Sequence, residues 1–144
     1  MAGKEPLRQP AVVRSAVKLL RSQAIVTLEI FYLPEELTTR GALDPKQLEQ
    51  ACFYRIRVEQ FQYCTKLRRG LISALESSAV TPTTDQADLR WGCVFYNARK
   101  ARVLAMYFGS FGKGMIGRTW VTTNGKVVEF LRSRCSCVWA GDYR

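Results

Sequence analysis

The chain of 144 residues contains no histidine. Histidine is the commonest side chain for proton transfer near neutral pH and a frequent metal ligand, so its absence excludes Ser-His-Asp chemistry and histidine-liganded metals. The five cysteines show none of the paired C-x-x-C spacings that structural zinc sites use. The sequence therefore predicts no metal and no cofactor.

Long hydrophobic runs are also absent. The longest apolar stretch, residues 24–34, contains Glu29 and is too short to cross a bilayer. The first ten residues lack the apolar core of a secretory signal, which favours a cytoplasmic, reducing location. Only 10 glycines and 5 prolines occur, so collagen-like, low-complexity and wholly disordered chains are excluded.

The cysteines fall into two groups. Cys52, Cys64 and Cys93 lie among apolar neighbours and are expected to be small buried side chains in a reducing compartment. Cys135 and Cys137 lie close to arginines, whose positive field lowers a thiol pKa, so a reactive pair is an alternative to simple packing of the C-terminal segment. Packing is the favoured interpretation.

The spacing of apolar residues predicts a single compact α+β domain with the element order α-β-α-β-α-β-β-β-α. The second half is expected to be an antiparallel β-meander followed by a terminal helix, which begins after Asn124-Gly125. We expect a flexible arm at 1–10, the domain at 11–138 and a tail at 139–144. Helices are predicted over 11–22, 44–52 and 62–79, strands over 23–33, 53–59, 89–96, 102–108 and 115–122, and a loop over 81–88.

Residues 11–20 allow two interpretations. Their cations oppose a row of valines and a leucine, as in the first helix of a domain or in a basic amphipathic transit segment. Because Glu5 precedes them and hydroxyl residues are few, the first helix of the domain is favoured.

The formal net charge is +10, and most of the excess lies late in the chain. Ten basic and only two acidic residues follow position 89, where they interleave with aromatic residues of the meander. Basic and aromatic side chains on one surface supply phosphate neutralisation and base stacking, the two ingredients of nucleic-acid binding. The basic residues are Arg90, Arg99, Lys100, Arg102, Lys113, Arg118 and Lys126, and the aromatic ones are Trp91, Phe95, Tyr96, Tyr107, Phe108, Phe111 and Trp120.

Six residues form the predicted nucleic-acid or anion site. Two lie at a hairpin tip, one opens the neighbouring strand, one lies in the glycine-rich segment 109–114, and two share a strand face. They are Arg99, Lys100, Arg102, Lys113, Arg118 and Trp120. Both faces of the first two meander strands are apolar, so several of these rings are expected to belong to the core. Rings that are buried reduce the stacking argument to charge alone.

A non-catalytic basic module that binds RNA or DNA is the favoured function. The glycine-rich segment lacks the spacing of a phosphate-binding P-loop and is expected to be a tight connection between strands. A solvated basic face, or one that meets an acidic protein or a membrane surface, is an alternative. A protein-interaction module, such as an inhibitor, an immunity-type protein or an adaptor, also accounts for the lack of a catalytic motif.

Metal-free RNA cleavage is a further alternative, because lysine or tyrosine can move the proton and arginine can stabilise the phosphorane. Candidate side chains are Lys100, Arg102, Tyr107, Lys113 and Arg118. The plan of a small basic α+β domain with a meander and a terminal helix resembles that of bacterial ribosome-dependent ribonuclease toxins, which implies such an activity by architecture alone.

Overall fold

The first helix, α1 (Ala11–Arg21), forms where the apolar spacing predicts it. Val13, Ala16 and Leu20 fall on one side of the helix and are buried.

The protein is described by a computed structural model covering residues 9–37, 39, 41–109 and 112–139, with the side chains of 135–139 excepted. The domain bounds stay predictions, since most of the predicted arm and tail lies outside the described residues.

A capping box starts the second helix, α2 (Pro45–Ala51), as the sequence predicts. The Asp44 carboxylate accepts a hydrogen bond from the Gln47 amide at 2.7 Å, and the Gln47 side chain accepts one from the Asp44 amide at 3.0 Å. The proline at the first helical position needs no hydrogen-bond partner for its nitrogen. Two of the otherwise unpaired groups at this helix end are thereby satisfied.

The observed order is α-β-α-β-α, then five strands and a helix, which confirms the α+β fold class. A short 3-10 turn (Phe61–Tyr63) precedes the third helix, which is shorter than predicted. The last helix follows Asn124-Gly125 as expected. The remaining elements are β1 (Ile25–Tyr32), β2 (Tyr54–Glu59), α3 (Thr65–Glu76), β3 (Thr81–Pro82), β4 (Leu89–Asn97), β5 (Arg102–Gly109), β6 (Lys113–Ile116), β7 (Thr119–Thr122) and α4 (Lys126–Trp139).

All seven strands join one antiparallel sheet in the order β2-β1-β4-β5-β6-β7-β3. The interior strand β4 places Cys93 opposite Ile30 of β1 and Met106 of β5. Its residues 89–95 are all buried, because helices or connecting segments cover the middle of the sheet on both faces.

One strand prediction in the meander is wrong. The strand expected over 115–122 is interrupted by a two-residue turn at Gly117 and Arg118, so it forms the hairpin of β6 and β7. Gly117 has φ +62°, which a glycine adopts without strain at the first position of such a turn. The predicted loop 81–88 is confirmed for residues 83–88, but its first two residues form β3, which pairs with β7 and ends the sheet.

Two apolar cores lie on opposite faces of the sheet. The larger one packs α1, α3 and α4 against one face, and Leu20, Leu75, Trp91 and Leu131 are buried in it. The smaller one packs α2 and the β1–α2 connection against the other face around Phe31. No helix among the described residues has the length and apolar composition to cross a membrane.

Candidate functional site

The tip of the β4–β5 hairpin carries two of the six predicted site residues. Arg99 and Lys100 are both exposed there, as the sequence predicts. The Asn97 side-chain oxygen accepts hydrogen bonds from the amides of Arg99 at 2.9 Å and Ala101 at 3.0 Å. The tip is thereby held in one conformation, with its two cations open to solvent.

Arg102, the next predicted site residue, has an acidic partner. Its guanidinium forms an ion pair with Glu49 of α2, and it lies 5.9 Å from the centre of the Tyr96 ring. The Glu49 carboxylate also accepts a hydrogen bond from the Tyr107 hydroxyl at 3.3 Å. The charge of Arg102 is compensated within the fold, so it contributes little to attraction of a polyanion.

Lys113, Arg118 and Trp120 are not arranged as one binding surface. Lys113 lies at the start of β6, and its amine is 3.6 Å from the Asp85 carboxylate. Arg118 is exposed in the β6–β7 turn rather than beside Trp120 on a strand face, which corrects the sequence prediction. Trp120 is half-buried against the smaller core, so most of its ring is unavailable for stacking.

The aromatic half of the predicted surface is mostly core. Four of the seven rings are buried, and Phe111 lies outside the described residues. Arg90, counted among the meander cations, is itself only 5% exposed. This burial confirms the expectation that several of these rings belong to the core, and the argument for the meander is reduced to charge. The buried rings are Trp91, Phe95, Tyr107 and Phe108.

Of the residues considered for RNA cleavage, Arg102 and Tyr107 meet at the Glu49 carboxylate, but the two lysines lie apart. Lys100 and Lys113 flank opposite ends of β5, about 26 Å apart by the rise of an eight-residue strand. Burial, and then the charge of Glu49, raise the pKa of Tyr107 to about 12, and its hydroxyl is directed to that carboxylate. A general acid or base needs to reach the substrate within a hydrogen bond, and the carboxylate of Glu49 occupies the one point where two of these candidates meet.

A second basic surface lies on the outer side of α1 and α3, where the structure brings two basic stripes together. Two adjoining grooves, of about 300 and 360 Å³, cross this surface. Five basic side chains and one acidic side chain line them. We call this surface the helical basic face; its charged residues are Arg14, Lys18, Arg21, Arg68, Arg69 and Glu76.

Helical spacing produces each stripe. On α1, Arg14, Lys18 and Arg21 are exposed, opposite the buried residues that hold the helix on the sheet. On α3, Lys66 and Arg69 are exposed and Arg68 is half-exposed, while Leu71, Ile72, Ala74 and Leu75 are buried. Because α1 packs directly beside α3, the two stripes form one surface.

Few acids compensate this face. Arg21 donates a hydrogen bond to the Glu76 carboxylate at 2.7 Å. Among the described residues, no carboxylate lies within 4.0 Å of the charged groups of Arg14, Lys18, Arg68 or Arg69. The helical basic face therefore carries more uncompensated positive charge than the meander does.

The two helices are also tied together where α3 ends. The Gln9 side-chain amide donates hydrogen bonds to the backbone oxygens of Glu76 at 3.0 Å and Ser78 at 2.9 Å. These contacts connect the start of α1 with the end of α3, so the cations of the two helices keep a fixed relation. A fixed array of donors binds a regular polyanion with a smaller entropic cost than a mobile one.

The sequence predicts a basic side for α1, as a first helix or a transit segment, but it does not identify this face as a site. The sequence feature that points to this surface is that both helices are amphipathic with basic outer sides. What the sequence did not contain was the adjacency of the two helices, which are separated by more than 40 residues.

Another concavity, of about 240 Å³, lies beside the start of α4 and the glycine-rich segment. Its cations already have acidic neighbours: Lys113 is near Asp85, and Arg132 forms an ion pair with Glu35. Among the described residues, no group of three or more cysteine, aspartate or glutamate side chains is placed to hold a metal ion.

The cysteine predictions are partly confirmed. Cys93 is fully buried in the larger core, whereas Cys52 and Cys64 are only half-buried. Cys135 and Cys137 belong to α4, but their side chains lie outside the described residues.

In comparisons with known proteins, no protein-family model, no curated protein and no solved structure matches the chain.

Proposed function

We propose that this protein binds nucleic acid through its phosphate backbone, and that the helical basic face is the binding surface. The observation that carries the proposal is the pair of adjoining grooves lined by five cations and a single carboxylate. Lysine and arginine that contact phosphates release condensed counterions, and this release provides most of the affinity of sequence-independent binding. The overall charge of +10 adds long-range attraction.

The buried rings of the meander support a backbone contact rather than base recognition. Proteins that hold single strands by stacking present several exposed aromatic side chains along a basic groove. The largest exposed apolar side chains among the described residues are Phe53 and Tyr63, and neither lines the helical basic face. Binding is therefore expected to depend strongly on salt and weakly on sequence.

Two triple variants test which surface binds, because each removes three positive charges. The first replaces Lys18, Arg68 and Arg69 with Gln, and the second replaces Arg99, Lys100 and Arg118 with Gln. Affinity for labelled duplex DNA and single-stranded RNA is measured by fluorescence anisotropy across a salt series. We expect the first variant to lose about tenfold or more in affinity and to lower the salt slope by about 2 to 3, while the second changes both little.

The opposite result assigns binding to the meander hairpins and rejects the helical basic face. Equal losses in the two variants indicate that only net charge matters, which also rejects a defined site. A wild-type protein that binds neither probe at about 0.1 M salt overturns the proposed function itself.

A protein-interaction role is the second candidate, favoured by the free edge of β2. This strand begins the sheet order, so its outer edge pairs with no other strand among the described residues, and the exposed Phe53 precedes it. An affinity capture treated with nuclease distinguishes the candidates. A stoichiometric protein that survives nuclease and is lost with Phe53→Ala supports this role, and loss of all captured protein on nuclease treatment counts against it.

A further inference from the structure

The ion pair between Arg21 and Glu76 lies at the junction of the two grooves of the helical basic face. Both residues line both grooves, and Arg21 donates from Nη2 to Oε2 of Glu76 at 2.7 Å. Their side chains are 59% and 50% exposed, so an incoming ligand has access to each of them. Any polyanion that follows the surface from one groove to the other has to pass this pair.

Helix stability does not account for an acid at this position. Glu76 is the last residue of α3, where the helix dipole is negative and a carboxylate is disfavoured. The contact that fastens the end of α3 to α1 uses the backbone oxygen of Glu76, which accepts from Gln9, and any residue provides that oxygen. Within the part of the chain that the structure describes, the side-chain carboxylate is thus left with one ion-pair partner, Arg21.

We propose that Glu76 acts as an internal competitor for phosphate, because its carboxylate occupies Arg21 in the unbound protein and repels the backbone that approaches it. The inference rests on the proposed function. Phosphate and carboxylate both accept paired hydrogen bonds from a guanidinium, so a bound phosphate takes the place of Glu76 on Arg21. The competitor lowers affinity for any polyanion and restricts tight binding to ligands that contact several other cations of the face.

Replacing Glu76 with Gln tests the inference while keeping the shape of the side chain. This replacement frees Arg21 for phosphate, so we expect it to tighten binding. Because an exposed ion pair is weak, the expected gain in affinity is about 2- to 5-fold. Loss of a negative charge at a helix C-terminus does not weaken α3, and thermal unfolding followed by circular dichroism checks this. Glu59→Gln is the matched control, because Glu59 pairs with the exposed Arg57 on β2 and lines neither groove of the helical basic face.

The double variant Arg21→Gln, Glu76→Gln identifies the route of the effect. If Glu76 acts by occupying Arg21, Glu76→Gln tightens binding in the Arg21→Gln background by less than half as much as it does in the wild-type protein. We expect Arg21→Gln alone to weaken binding, Glu76→Gln alone to tighten it, and Glu59→Gln to change it less than 1.5-fold. All four are compared by anisotropy with labelled duplex DNA at one salt concentration.

Three results overturn the inference. They are no tightening by Glu76→Gln, equal tightening by Glu59→Gln, and a full gain from Glu76→Gln in the absence of Arg21. In each of these the wild-type protein still binds in a salt-dependent way, so the proposed function stands. If neither the wild-type protein nor Glu76→Gln binds, the proposed function fails and this inference with it.

Discussion

The guanidinium of Arg90, which is almost fully buried, donates two hydrogen bonds to the same carboxylate oxygen of Asp88, at 2.9 and 3.2 Å. Its remaining nitrogen donates to the backbone oxygens of Pro34 at 3.0 Å and Leu37 at 2.9 Å. Asp88 also accepts from the amide of Leu43. Arg90, one of the basic residues of the meander, thus holds the β1–α2 connection against the start of β4.

Asp88→Ala is expected to destabilise the protein by about 2 to 3 kcal/mol, because the buried guanidinium of Arg90 loses its counterion. Denaturation by urea measures the free energy of unfolding. Asp85→Ala is the control, since Asp85 is exposed and its contact with Lys113 is expected to contribute less than about 1 kcal/mol. Similar losses in the two variants would show that the buried pair has no special role.

Lys100→Gly is expected to stabilise the protein by about 0.5 to 1 kcal/mol. Lys100 has φ +63°, a left-handed conformation that costs a residue with a side chain about 1 kcal/mol or more. Arg99→Gly is the matched control, because Arg99 lies next to it, is equally exposed and has no positive φ. That variant should lose stability through backbone entropy, and thermal unfolding of both variants reports the opposite signs.

Gly114→Ala is expected to destabilise the protein by about 2 kcal/mol or more. A Cβ at this position of β6 would clash with the backbone oxygen of Tyr107 on β5 and lie 2.9 Å from the ring of Phe108. Backbone atoms in a paired strand cannot move aside without breaking the sheet. Gly41→Ala provides the control, as a Cβ there meets no atom within 4 Å, and an equal loss in both variants would contradict the steric argument.

Stability is expected to fall above pH 10, in part through Tyr107. Its pKa is raised from 10.0 to about 12, so the unfolded chain releases this proton first and unfolding is favoured as the pH rises between those values. By pH 11 the loss amounts to about 1 kcal/mol. Tyr107→Phe cannot ionise, so the free energy of unfolding should fall less between pH 9 and 11 in this variant than in the wild type; parallel profiles would refute the assignment.

Arg102→Gln is expected to leave nucleic-acid affinity nearly unchanged, because Glu49 already compensates its charge. Arg69→Gln removes a cation of the helical basic face and is expected to lower the salt slope by about 1. Both variants change the net charge by the same amount, so anisotropy across a salt series separates local contact from total charge. A larger loss of affinity in Arg102→Gln than in Arg69→Gln would indicate that the meander is the binding surface.

Local patterns were sufficient for most of the elements. The Asp44–Gln47 capping box and the buried stripe of α1 depend on neighbours within one or two turns, so the sequence contains all the information they need. The β6–β7 turn was missed although a Gly-Arg dipeptide between two short apolar runs is a known hairpin signal. The apolar residues on both sides of this dipeptide favour one long strand, whereas in the structure the two halves pair with each other, and also with β5 and β3.

Exposure and charge compensation could not be predicted in the same way. The partner of Arg102 lies 53 residues away, that of Arg21 lies 55 residues away, and that of Arg132 lies 97 residues away. No window of the sequence contains both members of such a pair. The same holds for the rings of the meander, whose burial depends on helices contributed by both ends of the chain.

The sequence by itself determined the α+β class, the helix caps, the amphipathic faces and the net charge of +10, because each follows from composition or from spacing within one element. The tertiary structure decided which of those charges face a ligand. Packing α1 beside α3 joined two basic stripes, while folding α2 onto the sheet neutralised Arg102. Coulomb attraction acts between groups that are close in space, and only the folded chain determines which groups those are.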